Sequence, residues 1–251
     1  MLELTLIGIG TGNPDHITLQ GVAALAAADL VLLPLKGDDK TDLTAVRRQI
    51  IDRHGSGEVP VAEFMLPVRD EAIADYQTRV DAWHDEIAQS WSAAIADHLD
   101  TDGRVAVLIW GDPTLYDSSL RIVDRLAKIR PTTVQVIPGI TAIQALCAAH
   151  GIPLNEIGAP LQITTGRNLE THGWPEGVET VVVLLDGQCA FQNLDQTGID
   201  IWWGAYLGMP YQVIEAGPLP EVGVEIMERR KTCRAKQGWI MDTYILRNHR
   251  T

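Results

Sequence analysis

A chain of 251 residues with 46% hydrophobic content can bury a substantial core, either in one large domain or in two of moderate size. Its formal charge of -13 repels polyanions and argues against a nucleic-acid-binding protein, because the basic residues are scattered and even the late cluster at 229–236 is typical of a solvated helix surface. The three cysteines lie far apart, which argues against a disulfide framework and a structural zinc site and favours a reducing cytoplasm.

The first apolar run, Leu2 to Ile9, has no basic segment before it, and no run approaches the roughly 20 residues of a membrane span, so we expect neither export nor insertion. The run is rich in β-forming residues and enters a glycine-rich loop, which predicts a buried strand followed by a helix capped at Asp15 or Thr18. The alternation that follows predicts an α/β domain with a mostly parallel sheet and helices on both faces. Further helices are expected at 41–54, 70–99, 118–129 and 140–149, and strands at 29–33, 59–66, 104–110 and 133–137.

The pattern changes after Pro153, where strands outnumber helices. The turn residues at 208–210 lie between two adjacent strands and predict a hairpin, hence a mixed sheet. We therefore expect an N-terminal α/β domain over residues 1–153 and a C-terminal α/β domain with a mixed sheet over 154–251. The strands of the C-terminal domain are predicted at 161–165, 179–185, 201–207, 211–216 and 238–245.

The loop after the first strand contains Gly8, Gly10 and Gly12, whose bare backbone lets a ligand approach the next helix. It fits the G-x-G-x-x-G pattern poorly, because Asn13 takes the place of the third glycine and Asp29 precedes the second strand. A dinucleotide site, a purely structural turn and a site for another adenosine-bearing ligand all stay open, and the third is favoured.

Four further loops follow predicted strands: GDPTLY at 111–116, PGITA at 138–142, Asp186-Gly187 and Ala216-Gly217-Pro218. Each one alone is typical of an ordinary turn. Ligands of open α/β sheets bind beyond the carboxyl ends of the strands, so five such loops together predict a binding site.

In order, the segments GIGTGNPDHITLQG, GDPTLYD, VIPGITAIQA and YLGMPYQVIEAGPL resemble the tetrapyrrole methyltransferases over most of the chain. The resemblance implies a two-domain fold with S-adenosyl-L-methionine in the cleft between the domains, converted to S-adenosyl-L-homocysteine as a tetrapyrrole is methylated. It further implies a cytoplasmic enzyme of cobalamin biosynthesis that acts on a precorrin, needs no metal and forms a homodimer. The segments KGDDKTDLTAVRRQI, WGDPTLYDSSLRI and LLDGQCAF look closest to the deacetylating branch of the family.

The resemblance also implies roles for particular residues. The implied cofactor contacts are Pro14, Trp110, Gly111, Asp112, Leu115, Thr141, Ala142, Asp186, Ala216 and Gly217. The family often has a glycine in place of Asp117 and an apolar residue in place of Asp186, so an alternative places Asp186 against the substrate.

Candidates for substrate binding and proton transfer complete the expected site. Substrate contacts are expected from Gly10, Gly12, Lys36 and Arg121. Arg47, Arg48 and Arg69 are further candidates for the substrate carboxylates, although a surface position is favoured for Arg47 and Arg48. Tyr116, Asp112 and His16 are the candidates for proton transfer, although a merely solvated side chain is favoured for His16.

Three other functions stay open: a precorrin methyltransferase that releases no acetate, a non-enzymatic adenosylmethionine-binding module and a nicotinamide-dependent dehydrogenase.

Overall fold

The computed structural model describes residues 1–35, 41–57, 59–100 and 102–249. The chain divides into two units, Met1–Thr141 and Ala142–Thr251. This division falls before the boundary expected after residue 153, because the helix Ala142–His150 packs against strands of the second unit.

The first unit contains a five-stranded sheet in which every neighbouring pair of strands is parallel. Its strands are β1 (Leu2–Gly8), β2 (Leu30–Leu35), β3 (Val61–Met65), β4 (Gly103–Ile109) and β5 (Thr132–Ile137). Its helices are α1 (Leu19–Ala26), α2 (Thr41–His54), α3 (Tyr76–Ala96) and α4 (Ser119–Ile129). The strand order is β3-β2-β4-β1-β5, which confirms the predicted parallel α/β architecture.

Helices cover both faces of this sheet, because successive residues of a strand point to opposite sides. Leu4 and Leu6 of β1 join the cluster beneath α3 and α4, whereas Ile7 and Ile9 join the cluster beneath α1 and α2. Helices α1 and α2, which follow β1 and β2 in the chain, therefore pack on one face, and α4, which follows β4, packs on the other. Such a divergence beside β4 is where open α/β sheets usually form a ligand crevice.

Helix α3 is shorter than the expected helix at 70–99. It begins at Tyr76 because the Asp75 carboxylate caps it, accepting a hydrogen bond from Thr78 N at 2.8 Å. Trp91 is buried in the core, and Trp83 packs partly against it while its indole donates to the Pro67 carbonyl at 2.6 Å. Both tryptophans therefore contribute to packing between α3 and the sheet.

His84, also on α3, is 2% exposed, and neither of its ring nitrogens has a hydrogen-bond partner among the described residues. Burial and then the charge of Arg125 lower the pKa of this imidazole from its usual 6.5. The folded chain therefore takes up this proton at a lower pH than the unfolded chain does. Stability contributed by this site is lost as the pH falls below the unfolded value of 6.5.

We expect His84→Leu to remove this pH dependence and to raise the free energy of unfolding at neutral pH by about 1 kcal/mol, because it removes two unsatisfied buried polar atoms. Urea unfolding between about pH 5 and about pH 8 measures both effects. His98→Gln, on an exposed side chain, is the matched control. An unchanged pH slope in His84→Leu would contradict the prediction.

The second unit contains a mixed five-stranded sheet of order β6-β7-β10-β8-β9. Its strands are β6 (Leu161–Thr165), β7 (Thr180–Leu184), β8 (Ile199–Ala205), β9 (Val213–Pro218) and β10 (Asp242–Asn248), and its helices are α5 (Ala142–His150), α6 (Gly166–His172) and α7 (Leu219–Gln237). The pair β6-β7 is parallel and the other pairs are antiparallel. Strands β8 and β9 form the predicted hairpin around Gly208.

Helix α7 is not among the helices predicted from the sequence, although the basic cluster at 229–236 is typical of a helix surface. Its inward face has few apolar residues, with Leu219 and Ile226 buried, so the helical period is weak. Two residues in the sequence do mark the ends of this helix. A proline lies in its first turn, and Gly238, with φ 75°, follows its last residue. The basic cluster lies mainly on its exposed surface, as expected, although Arg230 is largely buried. No helix in the described part of the chain is long and apolar enough to cross a membrane.

Candidate functional site

Three loops are joined at the carboxyl edge of the first unit's sheet, after the neighbouring strands β4, β1 and β5. Gly111 N donates to the Gly10 carbonyl at 2.8 Å, and Gly10 N donates to the Gly111 carbonyl at 3.4 Å. The Asp112 carboxylate accepts a hydrogen bond from Gly139 N at 2.8 Å. We call residues 8–12, 110–116 and 138–141 the carboxyl-edge loops; these bonds hold them as one backbone surface.

Close backbone approach explains two of the glycines in these loops. A Cβ atom on Gly8 would lie 2.5 Å from Gly139 N, and one on Gly139 would collide with the Gly111 carbonyl oxygen. Gly111 differs, because it has φ 68° and a Cβ there would meet no described atom within 4 Å. The Cα of Gly111 therefore faces open space, as a backbone contact to a ligand requires.

Asp112 connects two of the loops through both oxygens of its carboxylate. Oδ1 accepts from Thr114 N at 2.8 Å and from Thr114 Oγ1 at 2.5 Å, and Oδ2 accepts from Gly139 N. Burial by itself raises the pKa of Asp112, but these hydrogen bonds outweigh it and lower the pKa below its usual 3.8. The side chain is therefore ionised at neutral pH and suited to holding the loops in place.

Tyr116 follows in the same loop with φ 50°, a strained value for a residue with a side chain, and it is 48% exposed. Leu185, after β7 in the second unit, shares these features with φ 53° and 69% exposure. Strained backbone that presents a large exposed side chain is typical of functional loops.

Two polar atoms near the glycine loop are buried without a partner in the described ranges, Thr11 Oγ1 and His16 Nδ1. Burial lowers the pKa of His16, although the charge of Asp15 opposes this effect. Its ring packs against Gly10, so the expectation of a merely solvated histidine is wrong. Because buried polar atoms normally have partners, these two atoms fit a site that a ligand completes.

The cationic candidates lie in different environments. Arg121 is exposed on α4 and donates to the Asp117 carbonyl at 3.3 Å, and Arg69 stacks over the Trp83 ring. Arg48 is exposed and pairs with Glu63, as expected. Arg47 is only partly buried, but its guanidinium donates to the carbonyls of Leu108 and Leu43 and so is less free than the surface position expected for it. Lys36 lies outside the described residues.

In the second unit, Asp186 organises the loop after β7. Its Oδ1 accepts from Gln188 N at 2.8 Å, and its Oδ2 accepts from Ala190 N at 2.7 Å and from the Tyr244 hydroxyl at 2.6 Å. Arg230 donates to the Asp186 carbonyl at 2.9 Å. The Asp186 carboxylate thus accepts hydrogen bonds from groups of its own unit. Its contact with Tyr244 could not be predicted from the sequence, because the two residues lie far apart in the chain.

The remaining candidates fall into both units. Ala142 begins α5, and Ala216 and Gly217 lie on β9 opposite Trp202 and Ile201 of β8. The candidates within the first unit are Pro14, Trp110, Gly111, Asp112, Leu115 and Thr141, together with Gly10, Gly12 and Tyr116. In the part of the chain that the structure describes, no group of three or more His, Cys, Asp or Glu residues could hold a metal ion.

Several known proteins are similar to this chain in sequence and in fold. The family model for tetrapyrrole (corrin/porphyrin) methylases matches residues 3–223. A relative from Sinorhizobium sp, precorrin-6A synthase [deacetylating], is 46% identical over 251 residues, which cover 98% of this chain and 95% of the relative. The crystal structure of a cobalamin-synthesis-related protein (CobF) from Corynebacterium diphtheriae superposes with a TM-score of 0.85 and 39% identity, covering 99% of both chains. Uroporphyrin-III C-methyltransferase from Thermus thermophilus, solved with S-adenosyl homocysteine, shares the fold at a TM-score of 0.60 and 20% identity, covering 97% of this chain and 96% of that one.

Proposed function

Because the chain belongs to the tetrapyrrole methylase family, we propose that it methylates C1 of precorrin-5 and releases acetate, giving precorrin-6A and S-adenosyl-L-homocysteine. The observation that carries this proposal is the 46% identity to a deacetylating precorrin-6A synthase across nearly the whole chain. The tetrapyrrole substrate, a homodimer and a cytoplasmic location are proposals that rest on the same resemblance.

The carboxyl-edge loops fit the nucleoside part of S-adenosyl-L-methionine, which supplies an activated methyl group when bound. The open space at Gly111 allows close approach to the backbone, and Thr11 Oγ1 is a buried polar group that lacks a partner among the described residues. Asp112 supports the site by holding its own loop to the loop that contains Gly139. We propose that Trp110, Leu115 and Thr141 contribute contacts from the same loops.

Loss of the acetyl group adds a proton-transfer task, because one water must attack a carbonyl carbon. A base that takes a proton from this water must be unprotonated near pH 7, and the lowered pKa of His16 favours that state of its imidazole. Tyr116 presents a hydroxyl in an exposed, strained loop and can donate a proton to the leaving group. We propose these two residues for proton transfer and assign Asp112 the positioning of the loops.

The proposed reaction predicts equal amounts of S-adenosyl-L-homocysteine and acetate from precorrin-5 and methyl-labelled S-adenosyl-L-methionine. Chromatography of the labelled product together with an enzymatic acetate assay measures the ratio. Methylated product without acetate would assign the chain to a methyltransferase that acts at another ring carbon. Tight cofactor binding without turnover of any precorrin would favour a non-enzymatic binding module.

A further inference from the structure

Arg47 occupies a core-facing position of helix α2. Leu43, Ile50 and Ile51, which lie three or four residues away along the helix, are all buried. Arg48, the next residue, is exposed and pairs with Glu63. The helix therefore carries a cationic side chain at a position where its pattern calls for an apolar one.

The Arg47 guanidinium is held by backbone carbonyls. Nε donates to the Leu108 carbonyl at 3.0 Å, and Nη1 donates to the Leu43 carbonyl at 3.2 Å. Within the described residues it forms no ion pair, although the charge of Asp117 acts on it. Burial lowers the pKa of Arg47 to about 10. A guanidinium that is partly withdrawn from water and has no carboxylate partner among the described residues is less stable than a solvated one, so this group is suited to meeting an anion during function.

The position of Arg47 in the fold supports the same interpretation. Pairing between β2 and β4 runs from Leu30↔Val105 to Leu32↔Val107, so the Leu108 carbonyl lies just beyond it. Here the connection from β2 leads to α2 on one face of the sheet, and the connection from β4 leads to α4 on the other. Ligands of open α/β sheets bind at such a divergence, at the carboxyl ends of the strands.

Asp117 lies in the connection from β4 to α4, at the position where the family often has a glycine. Its Oδ1 accepts a hydrogen bond from Ser119 N at 2.7 Å. Its charge raises the pKa of Arg47 and opposes the effect of burial, which helps to keep the guanidinium protonated without an ion pair between them.

We propose that Arg47 binds a carboxylate of the substrate's peripheral side chains. The inference rests on the proposed function, which supplies a tetrapyrrole with many carboxylates. Two N–H groups of Arg47 are used by the carbonyls of Leu108 and Leu43, and the others remain for a carboxylate in bidentate geometry. A fixed local cation is needed because the net charge of -13 repels a polyanionic substrate.

The test measures binding of uroporphyrin, a porphyrin that carries acetate and propionate side chains, by fluorescence quenching. The variants are Arg47→Met, Arg47→Lys and the matched control Arg48→Gln. We expect Arg47→Met to weaken uroporphyrin binding roughly ten- to a hundredfold, Arg47→Lys to weaken it less and Arg48→Gln to leave it unchanged. The methyl ester of uroporphyrin should bind the native chain and Arg47→Met equally.

Two further measurements separate the outcomes. Thermal unfolding should show Arg47→Met at least as stable as the native chain, because methionine suits a core-facing position, and Arg47→Lys serves if that variant does not fold. Titration with S-adenosyl-L-homocysteine should give the same affinity in all variants. Equal uroporphyrin affinities in the native chain and the Arg47 variants would overturn the inference and leave the proposed function standing. Failure of the native chain to bind any tetrapyrrole carboxylate would overturn both.

Discussion

Replacing Asp186 with alanine is expected to lower the free energy of unfolding by about 3–5 kcal/mol. The substitution leaves the Tyr244 hydroxyl and the backbone N–H groups of Gln188 and Ala190 without their acceptor. Tyr244 is buried, and burial followed by the negative charge of Asp186 raises its pKa, so the phenol remains a donor. Urea unfolding measures the loss.

Two further variants test whether the lost stability comes from the hydrogen bonds that Asp186 accepts. Asp186→Asn keeps one acceptor oxygen but turns an amide NH₂ toward a donor, so its loss should be intermediate. Glu176→Ala, on an exposed carboxylate of the same unit, should stay within about 0.5 kcal/mol of the native chain. A small stability loss in Asp186→Ala combined with abolished cofactor binding would instead make Asp186 a direct ligand contact.

Replacing Gly111 with valine is expected to weaken binding of S-adenosyl-L-homocysteine about a hundredfold or more, because it fills the proposed nucleoside site with a side chain. Gly57 offers a matched control. It has φ 75°, and a Cβ there would likewise meet no described atom within 4 Å. Both valine variants therefore strain the backbone in the left-handed region by about 1–2 kcal/mol, and only Gly111→Val enters the proposed site.

Strands β2 and β4 could be predicted most directly, because each contains an unbroken apolar run. Residues 105–109 of β4 are all buried, so no polar alternation interrupts the pattern. Helix α7 was missed for the converse reason, since its few buried residues give a weak period. The start of α3 was predicted too early, because apolar residues before Asp75 continue the helical pattern. The observed start is set by a single capping interaction of Asp75.

The position of the candidate site could also be predicted, since glycine-rich loops follow strands whose carboxyl ends share one edge. The bonds that connect these loops could not be, because Gly10 meets Gly111 and Asp112 meets Gly139 across long stretches of chain. Arg47 was assigned to the surface because the adjacent Arg48 made the pair look like a solvated basic patch. The apolar residues spaced three and four positions from Arg47 were the signal for its partly buried position.

We propose that the carboxyl-edge loops bind the adenosylmethionine cofactor. Calorimetric titration of the native chain, Gly111→Val and Gly57→Val with S-adenosyl-L-homocysteine tests it most directly. We predict saturable binding to the native chain, native-like affinity in Gly57→Val and binding lost or weakened about a hundredfold in Gly111→Val. Equal affinities in all three proteins, each confirmed to be folded, would place the cofactor elsewhere and contradict the claim.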